Sequence, residues 1–159
     1  MEENKMSIDK ALEIIEANLE EADFIGEIDE QTIIDAESNL KVKFPKSYRE
    51  FLKNYGLGDI FGEEIYGLGT EETGIPNMIW ITKEFREKEN LPDNLICFYF
   101  ADDGEYFCLD CSKVQSNNDD NAPVVSYISG LPLKEQPFEI IAKNFGDFLL
   151  DLLNNSLEE

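Results

Sequence analysis

The segment that decides the fold covers residues 34–67 and reads IDAESNLKVKFPKSYREFLKNYGLGDIFGEEIYG. Pro45 suits the first turn of a helix, where the missing N–H of proline removes no intrahelical hydrogen bond. Apolar side chains follow at the spacing of one helix face: Tyr48, Phe51, Leu52 and Tyr55. Gly56 fits a C-terminal cap, a position that favours a left-handed backbone. The segment therefore predicts the end of one helix, a second helix between Pro45 and Gly56, and a short buried strand at residues 65–67.

Two helices are expected upstream of Pro45. Ser7 can cap the first helix. Its inward face would carry apolar residues at helical spacing: Ile8, Leu12, Ile15 and Leu19. Residues 21–26 break that spacing and are expected to form a loop. Asp29 can cap the second helix, which would bury Ile33, Ala36 and Leu40.

Downstream of residue 67 the pattern predicts a helix and then a hairpin. Pro76 opens a helical region that runs to Lys88. Residues 95–101 are apolar enough for a central strand. Asp103-Gly104 is a strong signal for a two-residue turn. Residues 105–110 are therefore expected to form the antiparallel partner strand.

The last third of the chain predicts one more strand and a closing helix. A polar loop at residues 116–121 precedes a strand at residues 124–128. The closing helix would use Ile141, Phe145, Phe148, Leu149 and Leu152, and residues 154–159 would form a frayed acidic tail. This order predicts an α+β fold. We expect one domain over residues 1–159, with a central twisted sheet, antiparallel or mixed, packed by the N-terminal helices and the C-terminal helix.

Composition indicates a soluble domain with its own core. The chain has 159 residues, of which 42% are hydrophobic, and this is enough for one core of ordinary size. No apolar run approaches the ~18 residues that span a bilayer. The N-terminus lacks the basic and apolar regions of a secretory signal. Three cysteines are an odd number, so a reducing cytoplasm is the expected location.

The charge balance restricts the possible partners. The chain carries 35 acidic and 13 basic residues, no histidine, and a net charge of −22. Such a field repels nucleic acid and anionic membranes, because binders of both need basic patches. It attracts basic proteins and accelerates their encounter at low salt. The alternative is that the acidity serves solubility alone.

The residue types present argue against an enzyme or a metalloprotein. Without histidine, Ser-His, Cys-His and His-metal sites are excluded. Cys108-x-x-Cys111 has the spacing of a redox pair or half a zinc site, but a second such pair is missing and Cys97 cannot supply it. If the strand continued to residue 111, the two thiols would lie on opposite faces. We predict core packing for the cysteines, no catalytic residue, no cofactor and no metal.

The many carboxylates do not form a recognisable calcium loop. A loop that begins at Asn117 would need glycine at its sixth position and glutamate at its twelfth, where the chain has Ala122 and Ile128. Acid pairs at residues 102–103 and 119–120 could bind a cation weakly from a turn. The other interpretation is that they are solvated turn residues.

Three segments in order resemble the SUKH superfamily. Within residues 34–67, family members show a helix with Glu and Leu, then Pro-x-x-Tyr-x-x-Phe-Leu and a glycine; the Asn-Gly that often follows is Tyr55-Gly56 here. Residues 98–110 are similar to a family hairpin in which an acidic-Gly turn precedes an aromatic strand that ends in Asp. Residues 145–149 are similar to its closing helix. Every residue in these motifs also has a structural explanation, so the resemblance names a family and leaves the contact surface open.

The resemblance implies an immunity protein that binds and neutralises a cognate bacterial toxin. Many toxins in such systems are basic nucleases, so the resemblance, together with the acidity, implies a basic toxin of the nuclease type; family members also bind toxins that are not nucleases. The family's fungal members imply the alternative, a regulatory interaction module. The chain is expected to be a monomer or a homodimer. Expected exposure in turns and clustering single out nine candidate contact acids: Glu63, Glu64, Glu71, Glu72, Asp102, Asp103, Glu105, Asp119 and Asp120. Glu37 is a tenth candidate, as a polar residue that could line a binding surface. Glu37 lies on an otherwise apolar helix, so it could instead bond to a neighbouring backbone.

Overall fold

Helices surround two small sheets in the computed structural model, which describes residues 5–69 and 76–158. The helices of this part of the chain are α1 (Ser7–Ala17), α2 (Glu30–Leu40), α3 (Lys46–Tyr55), α4 (Met78–Glu89) and α5 (Phe145–Leu157). Its strands are β1 (Ala22–Phe24), β2 (Gly58–Ile60), β3 (Glu63–Ile65), β4 (Leu95–Asp102), β5 (Glu105–Asp110), β6 (Val124–Ile128) and β7 (Ile140–Ala142). Short 3-10 turns occupy Leu19–Glu21 and Leu133–Glu135.

Both sheets are antiparallel. The first has the order β1-β2-β3 and the second the order β4-β5-β6-β7. The Tyr66 N–H, directly after β3, donates to the Phe98 carbonyl of β4 at 2.8 Å. This bond links the two sheets and uses a backbone group on the outer edge of β4. The architecture confirms an α+β domain, with two antiparallel sheets in place of one central sheet.

The four-stranded sheet is covered on both faces. Tyr106 and Phe107 are consecutive on β5, so their side chains point to opposite faces. Tyr106 packs edge-on against Phe85 of α4, with ring centroids 4.9 Å apart. Phe107 packs against Phe148 of α5 at 5.6 Å. Helix α4 therefore covers one face of the sheet and α5 covers the other.

An aromatic cluster joins α3 to α5 and the second sheet. Tyr48, Phe98 and Phe145 are fully buried. The ring of Tyr48 lies 5.0 Å from that of Phe145, and the ring of Phe98 lies 5.4 Å from it. The Tyr48 hydroxyl donates to the Tyr66 carbonyl at 2.8 Å, which satisfies its polar group in the core. The aromatic stripe predicted from residues 48–55 therefore forms the centre of the core.

Two glycines of the segment 34–67 allow the chain to approach itself closely. Gly56 ends α3 with φ of 72°, and its N–H donates to the Leu52 carbonyl at 3.1 Å. A Cβ at Gly67 would lie 1.9 Å from the Gly56 carbonyl oxygen, far inside van der Waals contact. The Leu68 N–H donates to that same oxygen at 3.1 Å. The turn after α3 thus requires glycine at both positions.

Several predicted boundaries are wrong near the N-terminus. Ser7 is the first residue of α1, and Met6 holds the cap position. Leu19 lies outside α1 in a 3-10 turn and is 46% exposed. Residues 22–24, predicted as loop, form β1 because β2 supplies hydrogen-bond partners for a segment whose local pattern is weak. The predicted strand at residues 65–67 is shifted, since β3 ends at Ile65.

Two further corrections concern the C-terminus. Ile141 belongs to β7, and α5 begins only at Phe145. The Asn144 side chain sets that start, because its Oδ1 accepts the Asp147 N–H at 2.7 Å. Helix α5 then continues to Leu157, so the fraying expected from Asn154 onward is wrong for most of the tail. The predicted helix at residues 76–88, the β4–β5 hairpin, the loop at 116–121 and the strand at 124–128 are confirmed.

Candidate partner-binding surfaces

Glu37 joins α2 to α3 from a buried position. Its Oε2 accepts the Phe44 N–H at 2.7 Å and lies 2.8 Å from Nη1 of Arg49. The side chains of Glu37 and Arg49 are 10% and 5% exposed, so both charges are largely removed from water. Arg49 also pairs with Glu30, at the start of α2. Glu37 therefore has the structural role named above as the alternative, because its carboxylate accepts a hydrogen bond from a neighbouring backbone N–H.

The two glutamates of β3 point in opposite directions. Glu63 turns toward the second sheet, where its Oε1 accepts the Tyr99 hydroxyl at 2.6 Å. Burial and this hydrogen bond raise the pKa of Tyr99 above its ordinary value. Glu64, one residue on, is exposed. Of this predicted pair, Glu63 is engaged inside the molecule and Glu64 is presented to solvent.

Glu64 belongs to a carboxylate row that crosses the first sheet. The row consists of Asp23 of β1, Asp59 of β2 and Glu64 of β3, which are paired in register. Residues directly opposite on antiparallel strands project to the same face. Partial burial, and next the nearby Asp59 carboxylate, raise the pKa of Glu64. Like charges placed opposite one another are destabilising, so a cationic partner on this face would relieve the repulsion.

Asp23 and Asp59 were not among the predicted contact acids. Each occupies the middle of a three-residue strand, flanked by inward-facing residues such as Ala22 and Ile60. The signal that could have identified them is the alternation of polar and apolar residues along residues 22–24. Three residues are too few for that alternation to be recognised without a partner strand.

The β4–β5 hairpin presents three predicted acids at its tip. Asp102 and Glu105 are paired across the turn, and Asp103 and Gly104 have φ of 49° and 82°. These positive values are those of the two-residue turns that match strand twist. Asp102 Oδ1 accepts the Asp103 N–H at 2.9 Å. Next to the tip, Phe100 is 44% exposed and packs on Tyr106 with centroids 4.9 Å apart. The hairpin therefore carries an exposed aromatic ring beside an acidic turn.

Asp119 and Asp120 bind parts of the protein itself. The Asp119 carboxylate accepts the Gln115 and Ser116 N–H groups at 2.8 and 3.1 Å. Asp120 Oδ1 accepts the N–H and the hydroxyl of Ser47 at 2.8 and 2.7 Å. Burial raises the pKa of Asp120, although the hydrogen bonds from Ser47 oppose that shift. Asp120 thus caps the N-terminus of α3, where Pro45 provides no side-chain cap.

The remaining predicted acids are Glu71 and Glu72, which lie outside the described residues. The described ones are placed on separate elements: β3, the β4–β5 hairpin, the loop before β6, and α2. Strand pairing joins Glu64 to Asp59 and Asp23, and Asp102 to Glu105. The acidic surface is therefore organised by the two sheets.

The three cysteines are buried. Cys97 and Cys108 are paired across β4 and β5, while Cys111 follows the end of β5. Burial raises the pKa of the Cys108 and Cys111 thiols, which disfavours the reactive thiolate. Within residues 5–69 and 76–158, no three His, Cys, Asp or Glu side chains are grouped so that they could hold a metal ion. In the same part of the chain, no helix has the length and apolarity needed to cross a membrane.

A comparison with protein-family models agrees with the fold and the segment 34–67. The family model SUKH_5, described as SMI1-KNR4 cell-wall, matches residues 6–154. This range contains all five helices and both sheets, apart from the last residues of α5. Families of this kind consist of immunity or regulatory domains and are generally non-catalytic. Because the match covers nearly the whole chain, the protein belongs to the SUKH_5 family of SMI1-KNR4-type proteins.

Proposed function

We propose that this protein is a cytoplasmic immunity protein that neutralises a cognate bacterial toxin by direct binding, and that the toxin is a basic protein of the nuclease type. The observation that carries the proposal is the row of Asp23, Asp59 and Glu64 on an exposed sheet face of a SUKH-family chain with a net charge of −22. Family membership supports the class of function, and the charge pattern supports the class of partner.

The physical argument concerns both the rate and the strength of binding. A nuclease needs a basic surface for phosphates, and an acidic protein of opposite potential is steered onto such a surface. The carboxylate row carries unfavourable repulsion in the free protein, because Asp59 lies between two other acids. A lysine or arginine of the partner would remove that repulsion on binding. The same field opposes nucleic acid and anionic membranes as ligands.

The second candidate is an acidic regulatory module that binds another protein without a toxin partner. The cell-wall description of the matching family supports this alternative. The two candidates differ in genetic context, since an immunity protein is expected beside a toxin gene. They also differ in phenotype, because only an immunity protein rescues cells that express the toxin.

Co-expression rescue tests the proposal directly. Cells that express the neighbouring toxin gene should grow only when this protein is also present. The variant Asp23→Asn/Asp59→Asn/Glu64→Gln should rescue poorly. A matched control, Glu135→Gln/Glu139→Gln/Asp151→Asn, removes three exposed carboxylates from other elements and should rescue fully. Failure of the wild-type protein to rescue, or to bind the purified toxin, would disprove the immunity function. Equal rescue by the two variants would retain that function and exclude the row as the contact surface.

A further inference from the structure

A cleft of about 760 Å³ lies between the end of α2 and the chain that follows β5. One wall is formed by α2 and residues 41–43, and the other by residues 93–94 and 111–115. Its apolar surface comes from Ile34, Val42 and Val114, and Ile34 is 41% exposed. The Ser112 hydroxyl and the Gln115 amide add groups that can bond to a peptide backbone. The lining of the cleft therefore combines apolar side chains with groups that can form hydrogen bonds.

Two smaller hollows adjoin this cleft and share lining residues with it. One hollow shares Ser112 and Gln115 with the cleft and extends toward Lys113. The other shares Lys41 and Asp93 and extends toward Lys83 and Arg86. We refer to the cleft and the two hollows that share its lining residues together as the groove. Three adjoining hollows offer contacts to several successive residues of a polypeptide.

The charge of the groove differs from that of the rest of the protein. Its lining contains five cations, Lys41, Lys43, Lys83, Arg86 and Lys113, against four carboxylates, Glu37, Asp93, Glu87 and Asp119. Arg86 is already engaged, since its guanidinium donates to the Leu40, Asp93 and Leu95 carbonyls. The remaining four lysines still balance the four carboxylates, whereas in the whole chain 35 acidic residues face 13 basic ones.

The four carboxylates of the groove are partly compensated. Glu37 is paired with Arg49, a buried residue that does not line the cleft. The Asp119 carboxylate accepts two backbone N–H groups. By contrast, Lys41 and Lys43 have no carboxylate within ion-pair distance among residues 5–69 and 76–158. Both ammonium groups therefore remain available to an incoming anion.

We infer that the groove binds an extended, acidic segment of a partner protein. An apolar side chain of that segment packs on Ile34, Val42 and Val114, and flanking carboxylates pair with Lys41 and Lys43. The groove attracts negatively charged segments, whereas the carboxylate row attracts positively charged ones. The groove and the row therefore serve different parts of a partner or different partners. The site does not depend on the proposed immunity function.

Titration of the isotope-labelled full-length protein followed by amide NMR shifts tests the inference. The probes are eight-residue peptides in which Asp or Glu alternates with Leu, and matched peptides with Lys in place of each acid. The acidic peptides should shift amides of residues 34–43, 93–94 and 111–115 in a saturable manner. The basic peptides should leave these amides unchanged. Inorganic phosphate is titrated separately as a small anion.

Substitutions at two exposed residues separate the contribution of charge to peptide binding from that of apolar contact. Lys43→Glu should weaken binding of the acidic peptides roughly three- to tenfold, since it replaces an attraction with a repulsion. Ile34→Ala should weaken binding while leaving its salt dependence unchanged. The control Lys134→Glu makes the same charge change at an exposed site outside the groove and should bind as the wild-type protein does.

Three results would overturn the inference. The first is the absence of saturable shifts with acidic peptides, and the second is shifts centred outside the groove. The third is a phosphate response at the same amides with the same affinity, which would identify the site as one for small anions. Toxin rescue by Lys43→Glu tests the proposed function separately, because loss of peptide binding with intact rescue leaves that function untouched.

Discussion

Replacement of Glu37 by glutamine should destabilise the protein by about 2–4 kcal/mol. The substitution removes one charge of a pair whose side chains are 10% and 5% exposed, and it leaves the Arg49 guanidinium in a poorly solvated position. Loss of one partner of a buried pair costs about 3–5 kcal/mol. Two features reduce that cost here, because Arg49 retains Glu30 and the glutamine oxygen can still accept the Phe44 N–H.

The structure supplies a matched control on the same arginine. Glu30 also pairs with Arg49, but its side chain is 47% exposed. Solvent screening limits such a pair to at most about 1 kcal/mol. Glu30→Gln should therefore cost much less than Glu37→Gln, although both variants remove one carboxylate from the same guanidinium.

Equilibrium unfolding in urea measures the difference, provided that the slope of free energy against urea is the same for all variants. The double variant Glu37→Gln/Arg49→Met should recover part of the loss, because an apolar side chain leaves no unpaired buried charge. Equal costs for the two glutamine variants would refute the burial argument. So would strict additivity in the double variant.

Three further predictions follow from individual contacts. Asp120→Asn should remove one pH-dependent contribution to the free energy of unfolding. Burial raises the pKa of Asp120 above 3.8, so the folded state holds the proton more strongly than the unfolded state. The stability that Asp120 contributes therefore falls as pH rises from 3.8 through the raised pKa. Because other carboxylates titrate in both proteins, the expected result is a difference: across this window the unfolding free energy of the wild type should fall relative to that of Asp120→Asn. Parallel curves would contradict the prediction. Gly67→Ala should lower the free energy of unfolding by about 3 kcal/mol or more, because the new Cβ would meet the Gly56 carbonyl oxygen. Gly62→Ala should lower it by only about 1–2 kcal/mol, because no atom lies within 4 Å of that Cβ. Thermal melts should show the larger loss for Gly67→Ala, and equal losses would contradict the prediction. Thiol alkylation of Cys97, Cys108 and Cys111 should follow unfolding, since all three are buried, and rapid labelling of the native protein would show that they are accessible.

Sequence reasoning succeeded where the signal is local and strong. The bounds of α3 follow from Pro45 and Gly56, and the β4–β5 hairpin follows from Asp103-Gly104 between two apolar runs. It failed for β1 and β7, which have three residues each. Strands of that length show no recognisable period, and they form because a neighbouring strand supplies their hydrogen-bond partners.

The family was predictable to a similar degree. The order of motifs in residues 34–67, 98–110 and 145–149 resembled the family that the match over residues 6–154 establishes. The list of contact acids was less informative, because exposure cannot be read from a turn-like sequence alone. Asp120 illustrates the difficulty, since it was selected as a surface acid and in fact caps α3.

By itself, the sequence determined the net charge of −22, the absence of histidine chemistry, the aromatic helix face and the family. Only the tertiary structure decided how the charges are arranged. Strand pairing aligns Asp23, Asp59 and Glu64 on one face. The fold also places α2 and residues 41–43 across a cleft from residues 93–94 and 111–115, so that Lys41 and Lys43 line one groove. Composition cannot distinguish these surfaces, because a local potential depends on which side chains lie within a few ångströms of each other. That proximity is set by contacts between residues far apart in the chain, such as Ser47 and Asp120, which are 73 positions apart.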